Sequence, residues 1–427
     1  MRVLVLGAGV AGVSVAYHLW RDGHEVTVLD REAGPGQGSS FGNAGGLCPG
    51  FAGPWAAPGM PGKVLRMALQ RHAPVRFSVR PDVERLLWVA KWLDECKAAR
   101  FRINKARMQR VAHYSMRCMQ ELIDQVPGLS FDYHSSGTLQ LLETDQELEL
   151  AQLASKTLDS FQVPWRMMGR DEAVSLEPSL QAGDSTWKGA LYLPGDASGD
   201  SSRFCIGLAG YIASHGVSFH YGVSATRLVQ VGGRLTGIEV TNGGQREQWE
   251  ADACVVALGC QASALLSTVG LRIPVYPLKG YSITIPITDA EAAPRMAIMD
   301  EHHKIMLTRL GDKLRVAGMA ELVGYDLTLH PARAELLSKL TRRLFPRGLD
   351  FSAASPWAGL RPMTPDGPPI LGATPLKGLY LNAGHGSNGW TQACGTGRLV
   401  ADAVSGRPPA IDMDGLTAER FGMKTWA

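Results

Sequence analysis

One segment constrains this chain more than any other: RVLVLGAGVAG at residues 2–12, followed by an acid at Asp30. Residues 2–6 are an apolar run with β-branched side chains, which suits a buried strand. Gly7, Gly9 and Gly12 then take the GxGxxG spacing, and a helical pattern runs through Ala16, Leu19 and Trp20 until Gly23 ends it. Residues 25–29 (EVTVL) make a second strand, closing on Asp30. Strand, glycine turn, helix, strand and acid together predict a dinucleotide-binding unit. Gly7 permits the tight turn, Gly9 lets the backbone approach a pyrophosphate, and Gly12 lets helix and strand pack closely. The helix N-terminus offers free N–H groups and a positive dipole end to the phosphates. Asp30 can accept hydrogen bonds from a ribose, and Val3, Val10 and Arg31 are further candidate contacts around the same turn.

At 427 residues the chain is long for a single core, so two domains are expected. A hydrophobic content of 45% with 19% charged residues describes an ordinary soluble globular protein, and a net charge of +3 discriminates little. A strand starting at Arg2 is expected to leave no room for a signal peptide. No stretch carries the roughly 18 apolar residues of a membrane span. The seven cysteines (Cys48, Cys96, Cys118, Cys205, Cys254, Cys260, Cys394) are odd in number, scattered and without a CxxC pair. Neither a zinc site nor a disulfide framework is indicated, no metal is expected, and a reducing cytoplasmic location fits.

Residues 34–62 are rich in Gly, Ser and Pro, yet Phe41, Phe51 and Trp55 are poor linker residues. Long loops in compact domains are usually functional, and small residues here would let backbone pass close to a flat ring system. Ser40, Asn43, Ala44 and Gly45 are the candidate contacts in this stretch. Residues 63–110 read as helical and basic, with thirteen Lys/Arg against four Asp/Glu, and with Leu86, Leu87, Trp88, Trp92, Leu93, Phe101 and Ile103 interleaved. This suits either a solvated helix face with a core stripe or a surface lying on anionic lipid. No nucleic-acid motif accompanies the charge.

A helix is predicted over 108–126. Strands are predicted at 131–133, 137–142 and 163–168, a helix at 145–160, a loop at 190–202 and a helix at 203–214. The mixed order suggests a separate α+β domain. Strands at 217–221 and 225–231 and a hairpin at 234–252 follow, and ACVVALG at 253–259 reads as a buried strand returning to the nucleotide fold. Val223 and Gly259 are its candidate cofactor contacts. Strand-like segments at 273–286, 296–299, 304–309 and 314–319 are assigned to a second sheet, followed by a helix at 332–345. LYLNAGHGSNGW at 379–390 then repeats the strand and glycine-rich turn ahead of a helix at 391–404. It contributes Gly384, Gly386, Ser387, Asn388, Gly389 and Trp390. Two helix N-termini from opposite chain ends suit a long ligand: one for a pyrophosphate, the other for a ring that becomes anionic on reduction. FAD fits this better than NAD.

At this point the sequence resembles a known family. RVLVLGAGVAG, HEVTVLDRE, NAGG, PGFAGPWAAPG, QRHAP, GTLQL, PVYPLKGYSITIPI, GLRPMTPDG and NAGHGSNGWTQACG together look like the bacterial FAD-dependent D-amino-acid dehydrogenases of the small-subunit type. These lie within the glycine oxidase, sarcosine oxidase and D-amino-acid oxidase group. The resemblance runs from residue 1 to about 410. It implies an α/β fold: a Rossmann-like FAD-binding domain, discontinuous over 1–62, 190–268 and 355–427, interrupted by an α+β substrate domain with a mixed antiparallel sheet (63–189 and 269–354). It also implies oxidative deamination of D-amino acids to 2-oxo acids and ammonia. Electrons would leave to a respiratory quinone or an acceptor protein, with peripheral association at the cytoplasmic face of the inner membrane.

The same comparison suggests Arg361 as the clamp for the substrate carboxylate, and a guanidinium fork suits two-point binding that lysine cannot match. Tyr281 and Tyr276 offer a hydroxyl to that carboxylate, though either suits a core. His385 is placed near the flavin, and Lys279 is either a second contact or an exposed residue. Some sarcosine-type relatives carry flavin on a cysteine before the TPD segment; Gly359, Leu360 and Arg361 stand there in this chain, so non-covalent FAD is expected. Cys48 and Cys394 read as small packing residues. Two other readings stay open: the same chemistry on D-proline or D-hydroxyproline, and a flavin electron-transfer subunit with no substrate site.

Overall fold

The computed structural model describes residues 1–68, 75–77, 82–184 and 186–423. The first strand, Arg2–Leu6, is central to a six-stranded sheet ordered Ile370–Ala373, Leu379–Ala383, Ala253–Val256, Arg2–Leu6, Glu25–Asp30, Ser218–Tyr221. All pairings are parallel except the edge pair of Ile370–Ala373 with Leu379–Ala383. Side chains of a strand alternate between faces, and the first strand shows what each face meets. Val3 and Val5 pack among the helices Val10–Arg21, Ser201–Ser214 and Gly389–Val404. Leu4 and Leu6 pack against a three-stranded meander, Val223–Val231, Arg234–Asn242 and Gln245–Glu250, and the helix Ala262–Ser267. Each fully buried Val or Leu contributes about 1.5–3 kcal/mol, so a strand buried on both faces fixes its own register.

Chain head and tail therefore share one sheet. Val3↔Ala253 and Val256↔Leu381 put the returning strand and the C-terminal strand in order beside the first. The helices that follow them also touch: a Cβ on Gly397 would lie 2.8 Å from the carbonyl carbon of Ser14. Asn382 donates to the Ala11 carbonyl at 3.1 Å.

The second layer is a nine-stranded mixed sheet. Its main path runs Ser355–Met363, Tyr276–Pro286, Lys313–Leu322, Ile305–Leu310, Ala297–Asp300, Thr138–Leu142, Gly189–Leu193, Arg166–Gly169, with Val75–Phe77 added beside Lys313–Leu322. Two of these strands come from segments grouped on sequence with the nucleotide domain. Those segments, beginning at 190 and 355, open with Gly189–Leu193 and Ser355–Met363, which pair with Thr138–Leu142 and Tyr276–Pro286.

Three other local expectations are corrected. The predicted loop at 190–202 starts as that strand, because Gly189–Leu193 is almost wholly buried between two partners and its apolar residues outweigh the Pro/Gly/Asp run behind them. Residues 131–133 are not a strand: Asp132 takes φ +52, outside the extended region a regular ladder needs, and Phe131 turns inward against Phe204 and Trp390. The basic segment 63–110 is not one helical run. It contains the helix Met60–Ala68, the strand Val75–Phe77, the helix Val83–Glu95 capped by Asp82, and the start of the helix Ala98–Gln125; residues 69–74 and 78–81 lie outside the described set.

Candidate active site

The glycine turn forms as its spacing predicts. Gly7 has φ +106, and a Cβ on it would lie 2.6 Å from the Ala257 carbonyl oxygen just past the returning strand. A Cβ on Gly12 would lie 1.8 Å from the Gly7 oxygen. The helix Val10–Arg21 can begin only because both positions lack one. Ser40 folds back from the Gly/Ser-rich loop, and its hydroxyl accepts the Val10 N–H at 3.1 Å. Asp30 accepts from the Ala8 N–H at 2.6 Å and the Glu32 N–H at 2.9 Å, which locks the turn to the end of the second strand.

These groups border a cavity of about 1130 Å³. Small-molecule pockets run from about 300 to 1,000 Å³, so this one has room for more than a single small ligand. Gly7, Gly9, Val10, Asp30 and Arg31 line it, as do Ser40, Asn43, Ala44, Val223 and Gly259. Gly386, Ser387, Asn388, Gly389 and Trp390 reach it from the other chain end. The indole of Trp390 is turned into the core, donating to the Gly199 carbonyl at 3.0 Å.

Four candidates stand back from the cavity. Val3 is buried mid-strand. Gly12 serves helix packing. Gly45 takes φ +84, donates to the Asn43 side chain at 2.8 Å, and packs against Thr308. Gly384 takes φ +75 against Thr364.

Arg361 lies on the strand Ser355–Met363, opposite Leu278. Its guanidinium crosses Gly280, where a Cβ would lie 2.3 Å from Nη1. Nη1 donates to the Met319 carbonyl at 2.9 Å, and the group sits 5.9 Å from the Trp55 ring centroid. Met319 occupies a bulge with φ +62, where the pairing Lys279↔Glu321 steps to Tyr281↔Gly318. Such strain in a non-glycine residue costs on the order of 1–3 kcal/mol and tends to gather at functional sites. Among the described residues no carboxylate lies within ion-pair distance of Arg361, and burial pushes its pKa down to about 10. Burying a cation without a paired acid is costly, so an anion entering beside it would be favoured.

Register decides the tyrosines. Leu278 and Gly280 face Arg361, so Lys279 and Tyr281 point to the opposite side. There the Tyr281 hydroxyl donates to Glu321 Oε2 at 3.0 Å, Arg333 pairs with Glu321 at 2.7 Å, and the Lys279 ammonium donates to the Thr328 carbonyl at 2.5 Å. Tyr281 borders the cavity, but its hydroxyl is committed to this buried ion pair, and Lys279 is fully buried rather than exposed. The Tyr276 hydroxyl donates to Asp82 at 2.8 Å and anchors the helix Val83–Glu95. Tyr281→Phe is therefore expected to change kcat/KM less than about fivefold while lowering stability by about 1 kcal/mol, read by steady-state kinetics and urea unfolding.

His385 lines the cavity with its Nε2 3.1 Å from the Thr396 hydroxyl, which itself donates to the Ala393 carbonyl. That assigns the proton to Nε2 and leaves Nδ1 as an acceptor. Burial lowers its pKa to about 4, so it is neutral at pH 7. Because the folded value lies below the unfolded 6.5, this term is fully present above pH 6.5 and is lost as pH falls toward 4. Between pH 7 and 5 the native protein should lose about 2 kcal/mol that His385→Asn does not, measured by urea unfolding at both pH values.

The sequence reading missed several neighbours. Trp357 is wedged between Gly42 and Gly359, where Cβ atoms would lie 2.0 and 1.9 Å from its ring. The Ser39 hydroxyl donates to the Leu360 carbonyl at 2.6 Å, beside Arg361. Arg315 donates to the Phe41 and Asn43 carbonyls at 2.8 and 3.0 Å, holding the Gly/Ser-rich loop. Glu32, a second acid just past the strand end, was legible but passed over.

A long dinucleotide fits these residues. The glycine turn, the Asp30 carboxylate and a second helix N-terminus border one space, and Asn382, held by Ala11 at the seam between the two units, keeps a buried Oδ1 with no partner among the described residues. The comparisons agree. The DAO family, described as FAD dependent oxidoreductase, matches residues 2–403. The chain is similar to a D-amino acid dehydrogenase of Cereibacter sphaeroides (strain ATCC 17029 / ATH 2.4.9), 47% identical over 99% of this chain and 95% of that one. It is also similar to one of Methylobacterium radiotolerans, 46% identical over 99% and 100%. Among solved structures, glycine oxidase from Geobacillus kaustophilus superposes with a TM-score of 0.73 at 22% identity (97% and 98% covered). L-proline dehydrogenase from P. horikoshii superposes at 0.74 and 18% identity (99% and 97%).

Proposed function

The chain belongs to the FAD-dependent oxidoreductases of the DAO family, and from that premise we propose that it is a D-amino-acid dehydrogenase, producing 2-oxo acids and ammonia. The observation that carries the substrate class is Arg361: a guanidinium over Gly280, hydrogen-bonded among the described residues only to a backbone carbonyl, beside the cofactor-sized space. An amino-acid carboxylate supplies the missing anion in two-point geometry. Bound FAD supplies the two-electron acceptance from the substrate Cα.

The chain's own residues bind, orient and exclude water. Gly7, Gly9, Val10, Asp30 and Glu32 would hold the dinucleotide portion, and the turn 386–390 with its helix N-terminus would face the ring, where positive potential favours the reduced form. Arg361 fixes the carboxylate, Trp55 and Leu278 wall the substrate from water, and Nδ1 of neutral His385 offers an acceptor in the same space. No side chain need remove a proton from carbon if hydride leaves once the amine is neutral; positioning carries the rate. A non-covalent cofactor is supported by the two cysteines bordering the cavity being turned to protein partners: Cys260 to the Leu360 carbonyl at 3.7 Å and Cys48 to Thr138 at 3.6 Å.

The test is steady-state turnover of the purified yellow protein with a dye acceptor against both enantiomers of a panel that includes alanine and proline. Turnover of D-alanine supports the reading, preference for D-proline favours the imino-acid alternative, and activity confined to L-enantiomers overturns it. Electrons would leave to a quinone or another acceptor.

A peripheral lipid contact is supported by the helix Val83–Glu95, whose Val83, Leu86 and Leu87 are 70, 64 and 61% exposed beside Arg85 and Lys91. Among the described residues no helix is long and apolar enough to cross a membrane. Sedimentation with anionic but not neutral vesicles, reversed by salt, is the expected result.

A further inference from the structure

The helix Val83–Glu95 is apolar on two faces. Val83, Leu86 and Leu87 point outward, whereas Trp88 and Val89, four and three residues before Trp92, turn with it toward the cavity. There Trp88, Leu278 and Leu322 are buried in one cluster, and Trp55, Val89 and Trp92 pack against it half-buried. All six border the cavity, so this wall keeps apolar surface that the described residues leave partly uncovered.

The wall adjoins the carboxylate clamp. The Arg361 guanidinium lies 5.9 Å from the Trp55 ring centroid, and Leu278 is the register partner of Arg361 on the neighbouring strand. Trp55 donates its indole N–H to the Ser387 hydroxyl at 3.1 Å, and Trp88 donates its own to the Met363 carbonyl at 2.9 Å. With both donors engaged, these two rings offer the cavity apolar surface alone. The acids bordering the cavity are Asp30 and Glu32 at the glycine turn and Glu301, which pairs with Lys304. A cationic side chain therefore finds no acid in this wall among the described residues.

We propose that this tryptophan wall selects the substrate side chain, and that D-amino acids with bulky apolar side chains, aromatic ones above all, are used in preference to D-alanine. An amino-acid side chain leaves the same carbon that bears the carboxylate. With the carboxylate on Arg361, the side chain starts beside the guanidinium, where Trp55 and Leu278 stand. Alanine puts one methyl against the wall. A phenyl ring covers more of it and takes apolar surface of both partners out of water. Aromatic rings also pack well edge-on or offset against indoles.

The inference rests on the dehydrogenase reading and narrows it. One rival determinant borders the same cavity: Lys105 of the helix Ala98–Gln125, whose Cγ would lie 3.8 Å from a Cβ on Gly53, two residues before Trp55. A substrate with a second carboxylate would answer to Lys105 rather than to the tryptophans, and the test separates the two.

The test is turnover of the holoprotein with a dye acceptor across D-alanine, D-leucine, D-phenylalanine, D-glutamate and D-lysine. kcat/KM for D-phenylalanine should exceed that for D-alanine by about tenfold or more, with D-leucine between them. A D-phenylalanine value no more than about threefold above that of D-alanine overturns the proposal, as does D-glutamate or D-lysine above D-phenylalanine. Trp92→Ala then locates the effect: the ratio of kcat/KM for D-phenylalanine to that for D-alanine should fall about tenfold, and Trp92→Phe should hold it within about threefold of wild type. A ratio that Trp92→Ala leaves unmoved overturns the assignment to this wall. If Trp92→Ala does not fold, the wild-type panel decides without it. D-Alanine turnover with no advantage for D-phenylalanine strikes this inference and leaves the dehydrogenase reading standing, whereas a flavin that no D-amino acid reduces strikes that reading itself.

Discussion

Replacing Arg361 with alanine is expected to lower kcat/KM for a D-amino acid by about a thousandfold, on the order of 4 kcal/mol, in a protein that stays yellow. The guanidinium has one hydrogen bond, to the Met319 carbonyl, and no acidic partner among the described residues, so its removal breaks no internal ion pair. The loss should fall on substrate and spare the fold. Arg361→Lys should recover little, because a single ammonium cannot reproduce the fork and would be reoriented by the Met319 bulge. Gly280→Ala gives an independent check: its methyl would occupy the space of the Arg361 guanidinium, 2.3 Å from Nη1, and should mimic the alanine variant with Arg361 still present. A variant that keeps kcat/KM within about threefold would remove Arg361 from the site.

Gly12→Ala is expected to abolish FAD retention and to cost about 3 kcal/mol or more of stability. The added Cβ would stand 1.8 Å from the Gly7 oxygen and 2.8 Å from its carbonyl carbon, both rigid backbone at the turn that starts the fold. Relief requires the helix Val10–Arg21 to lift away from the first strand, which also carries its N-terminus out of the cavity. The matched control is Gly23→Ala, at φ +80 with nothing within 4 Å, where only the backbone strain of about 1–2 kcal/mol applies and the cofactor should remain. The ratio of flavin to protein absorbance, with melting temperatures of both variants, separates the two outcomes.

These predictions rest on parts of the chain with different legibility. The glycine turn could be read because its physics is local: the clash that Gly12 avoids is with a residue five positions earlier. The same holds for the second turn at 386–390, whose glycines and helix start are contiguous. The return of 253–259 to the first sheet was legible too, since a short run of small and β-branched residues suits a strand buried on both faces. What failed was set by long-range partners. Tyr281 looked like a site residue until the sheet register turned its hydroxyl to Glu321, and that register depends on a bulge at Met319 that no pattern in KLRVAGMAEL announces. Trp357 and Arg315 hold the Gly/Ser-rich loop from strands far along the chain, and nothing in their own surroundings marks them. Arg361 itself came from resemblance; the structure adds its placement over Gly280 and its lack of an acid.

The account turns on an extended flavin gripped by both chain ends, with a D-amino acid held against it by Arg361. Anaerobic mixing of the holoprotein with D-alanine or L-alanine, followed at the flavin band near roughly 450 nm, reads that arrangement before any external acceptor enters. Bleaching by D-alanine alone, at a rate that falls about a thousandfold in Arg361→Ala, is the predicted result. A flavin that is bleached only by L-alanine, by neither enantiomer of any amino acid tried, or equally fast without Arg361 would contradict it.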